Sequence, residues 1–205
     1  MPRVVANMSM SLDGFVADPS DGVGHVFAWQ AAGTVPIRLP DGTEQGLVSA
    51  ASSAHIGKLW EEVKVLVVGR RTFDLSKAWQ GEPPLGLPTV VVAHQVPEDW
   101  ANDGKPFTFV TDGVESAIDR AKALAGDGVI AVSGADLTQQ CLNAGLLDEL
   151  SIDVASVLLG AGIRYLDKLT DTPVKLDGPE VVAGDGVTHL TYQVSALTDQ
   201  PKLGG

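Results

Sequence analysis

Short runs of uninterrupted apolar residues constrain this chain more than any other feature. "VLVV" at 65–68 and "VVVA" at 90–93 have no polar residue to turn toward water. Strands of that kind are covered on both faces, which places them in the interior of a mostly parallel sheet with helices above and below it. The intervening stretches supply those helices. Ile56, Leu59, Trp60 and Val63 recur at i, i+3, i+4 and i+7 and predict an amphipathic helix over 49–63. After a strand at 107–110, Asp112 with Glu115 three positions on reads as an N-cap, and Val114, Ala117, Ile118, Ala121, Leu124 and Ala125 follow at helical spacing. A strand at 129–132 then leads through Ser133 and Gly134 into a helix carrying Leu137, Cys141 and Leu142 that ends near Gly145.

The pattern changes toward the ends of the chain. Residues 3–12 read as a strand stopped by the turn pair Asp13-Gly14, and "DELSIDVASVLLG" contains another. Segments 174–182 and 187–194 read as an antiparallel pair around the "GDG" at 184–186. Residues 18–48 carry Gly22, Gly24, Gly33, Gly42, Gly46, Pro19, Pro36 and Pro40 among isolated large groups such as Phe27 and Trp29, and read as one long loop. Residues 1–195 are expected to form a single domain and 196–205 a flexible tail. The predicted fold is an α/β layered domain: a mixed, mostly parallel central sheet, flanking helices and a C-terminal antiparallel hairpin.

Charge excludes one class of partner. With 26 acidic against 14 basic residues and a formal net charge of -12, the mean field repels a phosphate backbone, so nucleic acid is not expected. No apolar run approaches the roughly 18 to 20 residues that cross a bilayer, so no membrane association is expected. The N-terminus runs directly into a strand pattern without an apolar h-region, which predicts a cytoplasmic chain. Cys141 is the one cysteine; it cannot form an internal disulfide, lies in an amphipathic stretch, and reads as a packed, inert thiol.

Basic residues in so acidic a chain are local devices. "VLVVGRRTF" and "VIAVSGADL" share one arrangement: a buried strand, a glycine, then a helix start. The first turn of a helix offers unpaired N–H groups and roughly half a positive charge, and glycine lets a ligand approach the backbone. In open α/β sheets ligands collect beyond the carboxyl ends of the strands, so two such junctions could clamp one extended polyphosphate. Arg70 and Arg71 oppose the helix dipole unless an anion is present, and guanidinium forks match phosphate oxygens. Thr72 adds a hydroxyl. The competing reading pairs both arginines with Asp74 or another acid. "GAGIRY" at 160–165 imitates a dinucleotide-binding glycine motif, but it lacks the third glycine and a following βαβ unit, so no Rossmann site is assigned there.

"MSLDGFVA", "VVGRRTF", "AVSGADLTQQCLNAGLLDEL" and "SVLLGAGIRYL" stand in the order and at roughly the separations of the dihydrofolate reductase-like family. The chain most resembles the branch that includes the bacterial riboflavin-pathway reductase domain, the RibD C-terminal domain, and its stand-alone relatives. The resemblance runs from Arg3 to Val194, with 18–48 unmatched. It implies a dihydrofolate reductase-like three-layer fold that binds NADPH across the strand ends. Gly69, Arg70, Arg71 and Thr72 would then grip the 2'-phosphate and diphosphate. Ser133, Gly134, Ala135, Asp136 and Leu137 would form the turn under the diphosphate, although serine stands where the family has its first glycine. Ser9 and Val16 resemble positions lining the nicotinamide, and His94 occupies the slot near the adenine. The "LLGAG" bend resembles one that borders the substrate pocket.

The implied activity is an NADPH-dependent reductase that transfers a hydride to a small, flat heterocycle, pyrimidine- or pterin-like, resembling 5-amino-6-(5-phosphoribosylamino)uracil reductase of riboflavin biosynthesis. The resemblance extends to homodimerisation through the C-terminal strands. Folate is disfavoured, because folate reductases of this family carry a carboxylate on the first long helix and 49–59 has neither Asp nor Glu. Asp13 is a weak candidate for the proton donor, and no general acid is assigned firmly. No zinc-ligand pattern of the deaminase type is present in the sequence, and no metal is expected. The alternative is a nucleotide-binding module that kept the fold without turnover.

Overall fold

A computed structural model describes residues 1–100, 106–170 and 172–195; the expected tail at 196–205 lies outside them. The described strands are β1 (Arg3–Ser11), β2 (Phe15–Ala17), β3 (Val35–Arg38), β4 (Glu44–Val48), β5 (Val63–Gly69), β6 (Thr89–Val92), β7 (Phe107–Val110), β8 (Val129–Ser133), β9 (Glu149–Ala155), β10 (Ile163–Arg164), β11 (Lys175–Gly184) and β12 (Val187–Ser195). The α-helices are α1 (Gly24–Phe27), α2 (Ala50–Glu62), α3 (Arg70–Leu75), α4 (Val114–Ala125) and α5 (Ala135–Asn143).

Eight strands form one sheet in the order β11-β12-β9-β1-β8-β5-β6-β7. From β9 to β7 every neighbouring pair is parallel, and β12 and β11 add an antiparallel edge. Side chains alternate across the pleat, so each strand feeds two layers. Val65, Val67, Val90, Ile130 and Val132 pack with Ile118 and Ala121 of α4 and with Leu137 and Cys141 of α5. On the opposite face Val5, Val63, Leu66, Val129 and Ala131 meet Leu59 and Trp60 of α2. The uninterrupted apolar runs are thus explained by helices on both sides. Burial pushes the Cys141 thiol up to about 12, in keeping with an inert, packed cysteine.

Residues 18–48 depart from the expected long loop. They hold α1, a 3₁₀ turn at Ala28–Ala31 and the β3–β4 hairpin. Val26, Trp29, Ile37 and Val48 are buried, so the large side chains scattered among the glycines and prolines anchor the excursion onto the sheet. The glycines and prolines punctuate short elements there. A second correction concerns α4. Gly113, not Asp112, occupies its N-cap, at φ 109°, and no side chain caps the helix. The chain enters the helix one residue later than the Asp112–Glu115 spacing suggested, and Leu124 at the far end is exposed. By contrast Ser49 caps α2, its hydroxyl accepting from the Ser52 N–H at 3.1 Å. Among the described residues no helix is long and apolar enough to cross a membrane.

Ile118 is fully enclosed while Leu124 of the same helix faces water. Truncating Ile118 to alanine should therefore cost about 2–5 kcal/mol in urea unfolding, and Leu124→Ala under about 1 kcal/mol; similar losses for the two would contradict the facing of α4.

Candidate functional site

Parallel pairing of β5 with β8 sets the geometry. Val68 lies opposite Ser133, so the two strand–glycine–helix junctions emerge side by side at one edge of the sheet. Gly134 has φ +112°, a conformation that disfavours any side chain, and an added Cβ would come 3.2 Å from Thr72 Oγ1. Thr72 of α3 therefore already reaches across to the start of α5. Gly69 has an ordinary extended backbone, but an added Cβ would meet nothing within 4 Å, so the space above it is open. Ser133 and Gly134 are half-buried on the same rim. His94 follows β6, whose Val92 pairs with Gly69, and is exposed at the next position along that edge.

Both arginines carry carboxylate partners. Arg70 Nε donates to Asp74 at 2.8 Å one turn on, and Arg71 donates to Asp21 at 2.5 and 2.6 Å. Asp21 is presented by a turn in which Asp18 accepts from the N–H groups of Ser20 and Gly22. These pairs are exposed, and exposed pairs contribute only about 0–1 kcal/mol, so a phosphate can displace either acid. A positive-φ glycine, a hydroxyl aimed at it, two helix starts and two guanidinium groups fit an anionic dinucleotide.

Other sequence-predicted residues are placed differently. Ser9 is buried and its hydroxyl accepts from Trp29 Nε1 at 3.2 Å, while Val16 packs in the main core. The 18–48 excursion lays Trp29 over Ser9. Leu137 is likewise a core residue, leaving only its backbone at the rim. Ala135 is buried, and Asp136 is exposed with its carboxylate held by Gln140. Asp13 is engaged through both carboxylate oxygens. Its oxygens accept from Ser11 Oγ at 2.6 Å, the Leu159 N–H at 3.1 Å and the Gly160 N–H at 2.7 Å. The Ser11 hydroxyl first, with the two N–H groups, holds its carboxyl down at about 2. The residue ties the β1 turn to the 159–160 bend, and an added Cβ on Gly162 of that bend would collide with the Ala17 carbonyl.

Sequence reasoning missed a polar layer on the face that α2 covers. Asn7, Ser9, Ser151, Asp153 and His189 line it from β1, β9 and β12. His189 Nδ1 lies 2.7 Å from Asp153 Oδ1, and His189 Nε2 lies 2.9 Å from Ser52 Oγ. His55 stacks on His189 with ring centroids 4.7 Å apart. The Ser–His–Asp order is that of a nucleophile with its base and orienting acid. Ser52 is fully enclosed, however, and a Cβ on Gly184 would strike its hydroxyl, which leaves no room for an acyl group. His55, Asp153 and His189 also each offer a ligand atom within 4.8 Å of the others, but both His189 nitrogens are already engaged, by Asp153 and by Ser52. Burial, then the neighbouring His189, lowers the His55 pKa. The signal for this layer was legible in "ELSIDVA", where polar and apolar residues alternate on a strand flanked by neighbours on both sides.

The Asp13 carboxyl sits at about 2 against an ordinary 3.8, so the folded chain binds fewer protons there than the unfolded chain. Its stabilisation is complete above about pH 4 and is lost as pH falls toward 2. Asp13→Asn should flatten that part of the acid-unfolding curve; an unchanged curve would remove the anchoring role.

With this geometry in view, the relatives are informative. The structure is similar to the crystal structure of a putative riboflavin biosynthesis protein from Shewanella sp. PV-4, with TM-score 0.68 and 22% identity over 95% of this chain and 99% of that one. It is also similar to the riboflavin biosynthesis reductase Rib7 of Saccharomyces cerevisiae, with TM-score 0.58 and 14% identity over 95% of this chain and 90% of that one. The uncharacterized protein YwjB of Bacillus subtilis (strain 168) is 27% identical over 120 residues, 58% of this chain and 68% of its own. The mixed sheet and its helices are those of the dihydrofolate reductase-like fold. The RibD C-terminal domain family matches residues 2–188, nearly all of the described fold, and the chain belongs to that family.

Proposed function

We propose that the protein is an NADPH-dependent reductase of a small, flat heterocyclic substrate, of the kind reduced by 5-amino-6-(5-phosphoribosylamino)uracil reductases. The observation that carries this reading is the lateral contact of the two junctions, Thr72 against Gly134, on neighbouring parallel strands. Gly69 and Gly134 leave the backbone accessible, and the first-turn N–H groups of α5 face the position of a diphosphate. Arg70 and Arg71 exchange Asp74 and Asp21 for phosphate oxygens, and His94 borders the adenine end. The bound dinucleotide supplies the hydride; the chain binds it, orients it and excludes water. The membership of the RibD C-terminal domain family supports the reaction class.

Tryptophan fluorescence should be quenched saturably by NADPH and at least tenfold less effectively by NADH, because charge-assisted contacts to a 2'-phosphate contribute about 1.5–3 kcal/mol. Arg70→Glu with Arg71→Glu should abolish the difference between the two cofactors. Equal affinity of the wild-type protein for both would count against the assignment.

A further inference from the structure

Tyr165 carries a hydroxyl that the fold encloses and does not satisfy. The residue follows the short strand β10 and is fully buried, and among the described residues no group is placed to hydrogen-bond with its phenol oxygen. Its backbone, by contrast, is held twice. The N–H donates to the Gly14 carbonyl at 2.9 Å, and the carbonyl accepts from Gln139 Nε2 of α5 at 2.9 Å. Those ties set Tyr165 in the main core, between the turn that ends β1 and the first turns of α5. An enclosed hydroxyl without a partner is costly, and phenylalanine would fill the same volume without that cost. Such orphans are few in native folds.

Thr138, also fully buried, is the polar neighbour. Burial pushes the phenol up from its ordinary range, and the Thr138 hydroxyl works against that rise without being placed as a full partner. Thr138 commits its own proton to Gly134: Oγ1 donates to the Gly134 carbonyl at 2.9 Å, and the Thr138 N–H donates to the same oxygen at 3.0 Å. The lone pairs of Oγ1 remain free to accept. Gly134 is the left-handed glycine of the rim, at φ +112°, with Thr72 Oγ1 beside it. A short run of groups therefore leads from the interior to the rim: phenol, Thr138 hydroxyl, Gly134 carbonyl.

We propose that Tyr165 is a positioning residue of the cofactor cradle: when a diphosphate seats on the turn at Gly134, the phenol donates to Thr138 Oγ1 and fixes the first turn of α5 around the ligand. An anion drawn to the first-turn N–H groups pulls on the same turn whose carbonyl Thr138 holds, so seating the ligand and satisfying the phenol are coupled. The inference rests on the reductase reading of the rim; the orphaned phenol is a property of the fold alone.

Tyr165→Phe separates this role from a structural one. The melting temperature of the unliganded variant should equal or exceed that of the wild type, because no hydrogen bond is lost. NADPH and NADH should both bind about three- to tenfold more weakly, as for one neutral hydrogen bond. The factor should be the same for both, since the arginines that meet the 2'-phosphate are untouched. Adenosine 2'-monophosphate, which lacks the diphosphate, should bind wild type and variant alike. Thr138→Val should also weaken NADPH, and adding Tyr165→Phe to it should weaken NADPH no further. A lower unliganded melting temperature or failure to fold in Tyr165→Phe, or equal weakening of adenosine 2'-monophosphate, overturns the assignment. Wild-type protein that binds no NADPH removes the reductase reading and this one with it; wild-type binding that Tyr165→Phe leaves unchanged removes this one alone.

Discussion

Parallel pairing of β5 with β8 is the constraint on which the rest depends. One register, Val68 against Ser133, brings Gly69 and Gly134 to the same edge and sets two ordinary strand-to-helix connections side by side. Neither junction alone is more than a helix start. Side by side, with Thr72 beside Gly134, they bring two helix starts, a hydroxyl and guanidinium groups to one edge, which is the basis of the proposed cofactor cradle. In the unliganded chain Arg70 and Arg71 are neutralised by Asp74 and Asp21.

The layer under α2 has a different physical character. Its apolar half, around Leu66 and Trp60, holds the helix to the sheet, and its polar half is stabilised by hydrogen bonds that run from α2 through His189 to Asp153. Buried polar networks of this kind hold their members rigidly when satisfied and are costly when one partner is missing. The same ties that pin the first turn of α2 therefore fix the Asp153 carboxylate in the layer.

Much of this was legible in the residues. Apolar runs such as 65–68 located the interior strands, the i, i+3, i+4 spacing located α2, and the glycine-led junctions located the rim. Elements with short-range signals were easiest to read. Contacts across the sheet were not: no local pattern shows that Trp29, 20 residues away, donates to Ser9, or that the 159–160 bend donates to both Asp13 oxygens. The excursion at 18–48 failed for a related reason, since its anchors Trp29 and Ile37 are sparse and have meaning only against the surface they cover. His189, Asp153 and Ser52 come from three elements up to 137 residues apart, and no local pattern announces their meeting.

The most direct test of the central claim is a backbone amide titration with NADPH, following residues 69–72 and 133–135 in one experiment. If the two junctions form one cradle, both groups of resonances move together and yield a single dissociation constant. Movement at one junction alone, or different constants at the two, would contradict the account.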